Sequence, residues 1–196
     1  MPVPTDLQAF IRVFSEVLAS CTRKGETGRC IASCVLRYGM YDLQLIRGKL
    51  DRDLRILPSS YRRKVQPFLS EWIFGRYHEI LSRYRSDGFA GLVEPVSDPL
   101  LFRAFCGMLP RGCDVPGDGY APYPPSQAPW YHLFLYLMAG YAMYVLDEPG
   151  HPPGMPFPGG AQVRLCDGVY YCPIRDKEEE IFYSLCNYCP ALQDAE

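Results

Sequence analysis

Apolar residues at helical spacing predict most of the chain. Leu7, Phe10, Ile11, Phe14, Val17, Leu18 and Cys21 recur at steps of three and four, which predicts a helix over 5–21 with Thr5 as its N-cap. Gly25 and Gly28 then turn the chain, and a second segment over 29–38 places Cys30, Cys34 and Tyr38 on one stripe. Leu43, Ile46, Leu50, Leu54 and Leu57 give the inner face of a helix over 41–57, stopped by Pro58. Phe68, Leu69, Trp72, Ile73, Tyr77, Ile80, Leu81 and Tyr84 give another over 59–86, which Pro67 either opens or kinks. Residues 87–96 read as loop. Ser97 or Asp98 caps a short helix through Leu109, with Pro99 in its first turn. Residues 110–129 are rich in Pro and Gly and read as a long irregular stretch.

The run 130–146 carries no charge, which raises the question of a membrane span. Its four tyrosines, one histidine and internal glycine argue instead for the central helix of a soluble α-helical core. The period then changes. Gln162–Cys166 and Val169–Cys172 flank Asp167-Gly168, a pair that favours a type I′ hairpin turn. A short helix capped by Asp176 is expected to follow and to close in Cys186-Asn-Tyr-Cys189. The fold class expected is mainly α: a bundle of about five helices over 1–148. A Gly/Pro loop, a small β-hairpin and a cysteine-rich metal module occupy 149–196, and the two are packed as one globular unit.

Composition adds bounds. A net charge of −2 gives no bulk drive toward nucleic acid or a membrane surface. Residues 1–98 carry 15 Lys/Arg against 11 Asp/Glu, and residues 99–196 carry 5 against 11. The first residues have neither a basic start nor an apolar run of signal-peptide type. With nine cysteines, this points to a reducing cytoplasm, hence thiols and metal rather than disulfides.

The candidate chemistry sits in the tail. Cys186 and Cys189 form a C-x-x-C pair, which puts two thiolates on one side of a tight turn, and Cys172 arrives from a strand end. If Asp167-Gly168 is the turn, Cys166 pairs with Val169, Leu165 with Tyr170 and Val163 with Cys172. Cys166 then leaves the face opposite to Cys172 and is the poorer ligand. His151, in the preceding loop, is the better fourth donor, with Cys106 and Cys113 as distant alternatives. A Cys3His set suits zinc. The Cys-Pro pairs at Cys172 and Cys189 also suit a four-iron, four-sulfur cluster. The bland alternative is a set of buried free thiols, and the stripe of Cys21, Cys30 and Cys34 is read that way, as small hydrophobes.

Two further features admit a functional reading. Arg62, Arg63, Lys64, Arg76, Arg83 and Arg85 could make a nucleic-acid face over 62–85, against the reading of a solvated helix surface. Glu71 and His78, seven apart, could be ligands or an acid/base pair, against the reading of a hydrogen-bonded buried histidine.

The tail motif H-P-x-G-x-P-F-P-G-G at 151–160, the G-x-Y-Y-C-P at 168–173 and the closing C-x-x-C resemble a family of uncharacterised archaeal proteins, chiefly from methanogens. The segments YDLQLIRGKL, LPSSYR and FGRYHEIL resemble the same family's helical part, so the resemblance spans about 38–190. It implies an intracellular archaeal protein and no particular activity. The family pattern is matched at His151, Cys172, Cys186 and Cys189; Met155 stands where a threonine is expected, and Cys21, Cys30 and Cys34 fall outside it. The function expected is a metal-binding accessory or interaction protein with a protein partner and no membrane. An enzyme using zinc or an iron–sulfur cluster beside His151 is the alternative, and a nucleic-acid-binding module the third reading.

Overall fold

The structure is a computed structural model and describes residues 4–115 and 128–194. It is mainly helical with a small C-terminal sheet. The helices are α1 (Leu7–Ala19), α2 (Lys24–Val35), α3 (Met40–Arg55), α4 (Ser59–Ser70), α5 (Arg76–Arg85), α6 (Pro99–Cys113) and α7 (Ala128–Val145). The strands are β1 (Arg164–Cys166), β2 (Val169–Cys172) and β3 (Leu192–Gln193).

α7 is the axis of the bundle. Fourteen of its 18 residues are buried, which requires neighbours on every side. α2 and α6 supply the most extensive of these, and α6 packs in turn on α1. Among the described residues no helix is long and apolar enough to cross a membrane. The α7 tyrosines place their hydroxyls on fixed acceptors. Tyr141 donates to Glu79 Oε1 at 3.1 Å and Tyr136 to the Tyr183 carbonyl at 3.0 Å. Tyr38 stacks on Trp130 at 4.1 Å and donates to its carbonyl, which fixes the start of α7.

Several boundaries differ from expectation, each for a physical reason. Asp6, not Thr5, caps α1 through the Ala9 amide at 2.8 Å. α2 begins at Lys24, so Gly25 and Gly28 lie within it rather than turning the chain before it. They serve close approach: a Cβ on Gly25 would stand 2.3 Å from the Phe89 carbonyl oxygen, and one on Gly28 would stand 2.5 Å from the Phe89 ring. Glu26 caps this helix, accepting from the amides of Thr22 and Arg23 at 3.0 and 3.1 Å. α6 continues through Pro110 to Cys113, beyond the expected stop at Leu109, because Met108, Leu109, Gly112 and Cys113 remain buried. The rest of the expected 110–129 loop, from residue 116 to 127, lies outside the described residues.

The expected helix over 59–86 is present as α4 and α5, joined by one π turn, Glu71–Gly75. Pro67 sits inside α4 and cannot donate to the preceding turn, so the wider turn follows shortly after it. The extra residue shifts the faces of α4 and α5, and His78 comes out exposed rather than buried, edge-on to Tyr77.

The expected helix from Asp176 does not form. Three-residue turns run from Ile174 to Ser184 and end in a short 3-10 helix, Leu185–Tyr188, capped by Ser184. Glu178, Glu179 and Glu180 in sequence give no apolar helical stripe, and Ile181, Phe182 and Tyr183 stay about 36–39% exposed.

The tail is nonetheless part of the common core. Met155, Phe157, Val163, Cys172, Cys189 and Ala191 are buried in the same apolar cluster as α1, α2, α6 and α7.

Candidate metal centre

The tail leaves the bundle at Asp147, which takes φ +56 and so reverses the chain. Its carboxylate pairs with Lys24 and accepts from Ser97 at 2.7 Å. The next residue, Glu148, pairs with Arg76 of α5. Two adjacent carboxylates are thereby held by two different helices. The Gly/Pro loop then folds on itself: the Gly154 amide donates to the Val163 carbonyl at 2.9 Å and that of Phe157 to Ala161 at 2.8 Å.

The hairpin has the register read from the sequence. Arg164 faces Tyr171, Leu165 faces Tyr170 and Cys166 faces Val169, with Asp167 and Gly168 at φ +50 and +80. Cys166 is exposed, whereas Cys172, Cys186 and Cys189 are buried. A third strand went unread: β3 pairs with β2 in parallel, Tyr171 opposite Leu192 and Cys172 opposite Gln193. Two residues are too short a run to show periodicity.

His151, Cys172, Cys186 and Cys189 border one small cavity of about 10 Å³, together with Pro149, Gly150, Val163, Arg175 and Leu185. That is the size of a single small bound atom or water. Cys106 and Cys113 do not border it; they stay buried in the bundle on α6. Among the described residues, no group of three His, Cys, Asp or Glu side chains is arranged to hold a metal ion as they stand. The four donors share a cavity without converging on one point.

Backbone amides reach two of these sulfurs. The Gly150 amide donates to Cys189 Sγ at 3.3 Å. The amide of Ala191 also reaches Cys189, and that of Ile174 reaches Cys172. Both are Cys-Pro-X turns, in which the proline has no N–H and the following amide meets the sulfur. Burial outweighs these amides, raising the Cys172 and Cys189 thiols and pushing Cys186 up to about 11. A thiolate on one disfavours thiolate on its neighbours, as expected of sulfurs that border one cavity. Arg175, which the sequence reading passed over, offsets part of that charge and donates to the Cys189 carbonyl at 3.0 Å. Burial lowers the pKa of His151, which keeps the imidazole in its neutral, ligating form, against a smaller upward pull from Glu178. Its ring lies 6.5 Å from Trp72 and edge-on to Phe157 at 5.5 Å.

His151 and Cys186 also border a second, open groove of about 360 Å³, with His132, Tyr136, Glu178 and Tyr183. His132 Nδ1 lies 3.2 Å from the Cys113 carbonyl oxygen. On the basic face, Arg76 and Arg83 are both paired with Glu79, at 2.8 and 3.3 Å, so part of its charge is internally neutralised.

No solved structure matches this chain. Its curated relatives are UPF0305 proteins of methanogens. One from Methanopyrus kandleri is 46% identical over 77 residues, 39% of this chain and 54% of that protein. One from Methanothermobacter thermautotrophicus is 53% identical over 53 residues, 27% of this chain and 34% of its own length. The chain thus spans about half or less of these two. A third, from Methanocaldococcus jannaschii, is 22% identical over 152 residues, 78% of this chain and 85% of its own. The model of the family described as "Uncharacterized protein conserved in archaea (DUF2115)" matches residues 23–194, and the chain belongs to that family.

Proposed function

We propose that the tail is a zinc-binding module of Cys3His type, closed by Cys172, Cys186, Cys189 and His151, in a protein that serves as an accessory to a protein partner. One observation carries this reading. The two Cys-Pro-X turns each bring an amide N–H to a sulfur, around a single cavity that also borders Cys186 and His151. Such amides stabilise thiolate and belong to the second shell of a thiolate-bound metal. The donor set fits a tetrahedral zinc site, and a cavity of about 10 Å³ suits a single ion better than a cube of four irons and four sulfides. Zinc there would supply the positive charge that the crowded, buried thiols lack. The partner surface is sought on the outer face of the module, where Ile181, Phe182 and Tyr183 are partly exposed.

Elemental analysis of protein purified without oxygen tests the assignment. About one zinc per chain is expected. Cys172→Ser, Cys186→Ser and Cys189→Ser should each lose it, while Cys166→Ser should keep it. Metal-free protein of unchanged stability would overturn the site. Iron with acid-labile sulfide would replace zinc by a cluster.

The open groove bordering His151 and Cys186 favours a second reading, a zinc enzyme with a solvent-reachable coordination position. Cobalt substitution separates the two. Visible bands that shift on adding thiocyanate mark an open position; bands that do not shift mark a closed structural site.

A further inference from the structure

Between α4, α5 and Pro152 of the tail lies a pocket to which neither the zinc module nor the family assigns a role. It measures about 290 Å³ and is lined by Phe68, Glu71, Trp72, Gly75, Arg76, Glu79 and Pro152. It sits on the π turn between α4 and α5, a local geometry frequent at functional sites.

We propose that this pocket binds a small alkylammonium group, with Glu71 as its counter-charge and Trp72 and Phe68 as its aromatic walls. The charge balance decides the sign of the ligand. Arg76 is already held by two carboxylates, Glu79 at 2.8 Å and Glu148. Glu79 is itself taken up by Arg76, Arg83 and the Tyr141 hydroxyl. The Glu71 carboxylate has no hydrogen bond or ion pair among the described residues. The three carboxylates Glu71, Glu79 and Glu148 therefore face two guanidiniums, and the uncompensated group is an anion.

Gly75 sets the position of that anion. A Cβ at Gly75 would lie 2.2 Å from Glu71 Oε1, so the carboxylate lies folded back across the π turn against the glycine instead of extending away from the surface. Any side chain at position 75 would push it out. Trp72 supplies the second, independent observation. It is 8% exposed and forms a wall of the pocket, with Phe68 beside it. Aromatic faces beside a carboxylate are the chemistry that recognises an ammonium carried on an apolar stem. Ethanolammonium, an ammonium on a two-carbon stem, is a small probe of that chemistry. The proposal does not rest on zinc.

The chain has two tryptophans, Trp72 and Trp130, so a 15N-labelled sample gives two indole resonances, assigned with Trp72→Phe. Titration with ethanolammonium chloride at fixed ionic strength should move the Trp72 indole signal saturably and leave Trp130 in place. Glu71→Gln should weaken binding by about threefold, the loss of one ion pair at an exposed carboxylate. Gly75→Ala should weaken it as well, though it leaves every charge intact. Ethylene glycol, the neutral analogue, should not saturate. A shift of equal affinity with ethylene glycol, tighter binding of glycolate, or no shift of Trp72 at all would overturn the proposal.

Discussion

The Tyr144 hydroxyl donates to the Tyr188 carbonyl at 2.8 Å, so the central helix holds the turn between Cys186 and Cys189 from behind. The Leu101 carbonyl is a second acceptor at 3.4 Å, and the shorter contact takes the single proton. Burial raises the phenol's pKa, so it stays a donor. Tyr144→Phe keeps the ring and removes the bond. It should cost about 1 kcal/mol of stability and speed amide exchange in 185–189 more than in the bundle, as read by urea denaturation and hydrogen exchange.

The tail has few large apolar residues that belong to it alone, and a unit that small rarely holds without a staple. Cys186→Ser or Cys189→Ser should therefore loosen it from about residue 149 onward and leave the bundle folded. Limited proteolysis should give a resistant fragment ending near Pro149. Loss of metal with the whole chain still resistant would mean that the site is not a staple, and the open-groove reading would lead.

Gly28→Ala tests the packing of Phe89 on α2. Alanine is the better helix former by about 1 kcal/mol, yet its Cβ would stand 2.5 Å from the Phe89 ring. Phe89 is buried and cannot swing clear, so overpacking should win. A net loss of about 1–3 kcal/mol is expected in thermal or chemical denaturation. A more stable variant would show that the 86–92 segment yields.

Glu26 gives a pH dependence. The amides of Thr22 and Arg23 hold its carboxyl below the usual 4.5. The folded chain thus resists protonation more than the unfolded chain does. The stability it contributes is fully present above 4.5 and is lost as pH falls through the lowered value. Glu26→Gln should flatten this part of the pH profile, seen by comparing denaturation midpoints of the two proteins at neutral and acid pH. Parallel profiles would show that the cap does not carry the effect.

What could be read from the sequence followed from patterns that local chemistry alone decides. Asp167-Gly168 set the hairpin register, and that register put Cys166 outside and Cys172 inside. The uncharged run of α7 announced its burial. Where a distant neighbour decides, the reading failed. Gly25 and Gly28 looked like a turn because Phe89, which needs their bare backbone, lies some sixty residues on. Glu71 and His78, seven apart, share a face only in a regular helix, and the π turn at Glu71–Gly75 lies between them. The pocket between Glu71 and Pro152 had no signature, since its walls come from segments that share no motif.

The reversal at Asp147 fixes more than the path of the backbone. Lys24 and Arg76, on separate helices, hold two consecutive carboxylates, and these four residues set the direction in which the tail departs. A tail that loosens is therefore tethered at a known angle instead of swinging on a free joint. Its ends search a small volume, the entropy of reclosure is low, and docking is a local, rapid event. Salt screens such pairs only partly when they are half-buried, so the tether should keep its aim over a wide range of ionic strength.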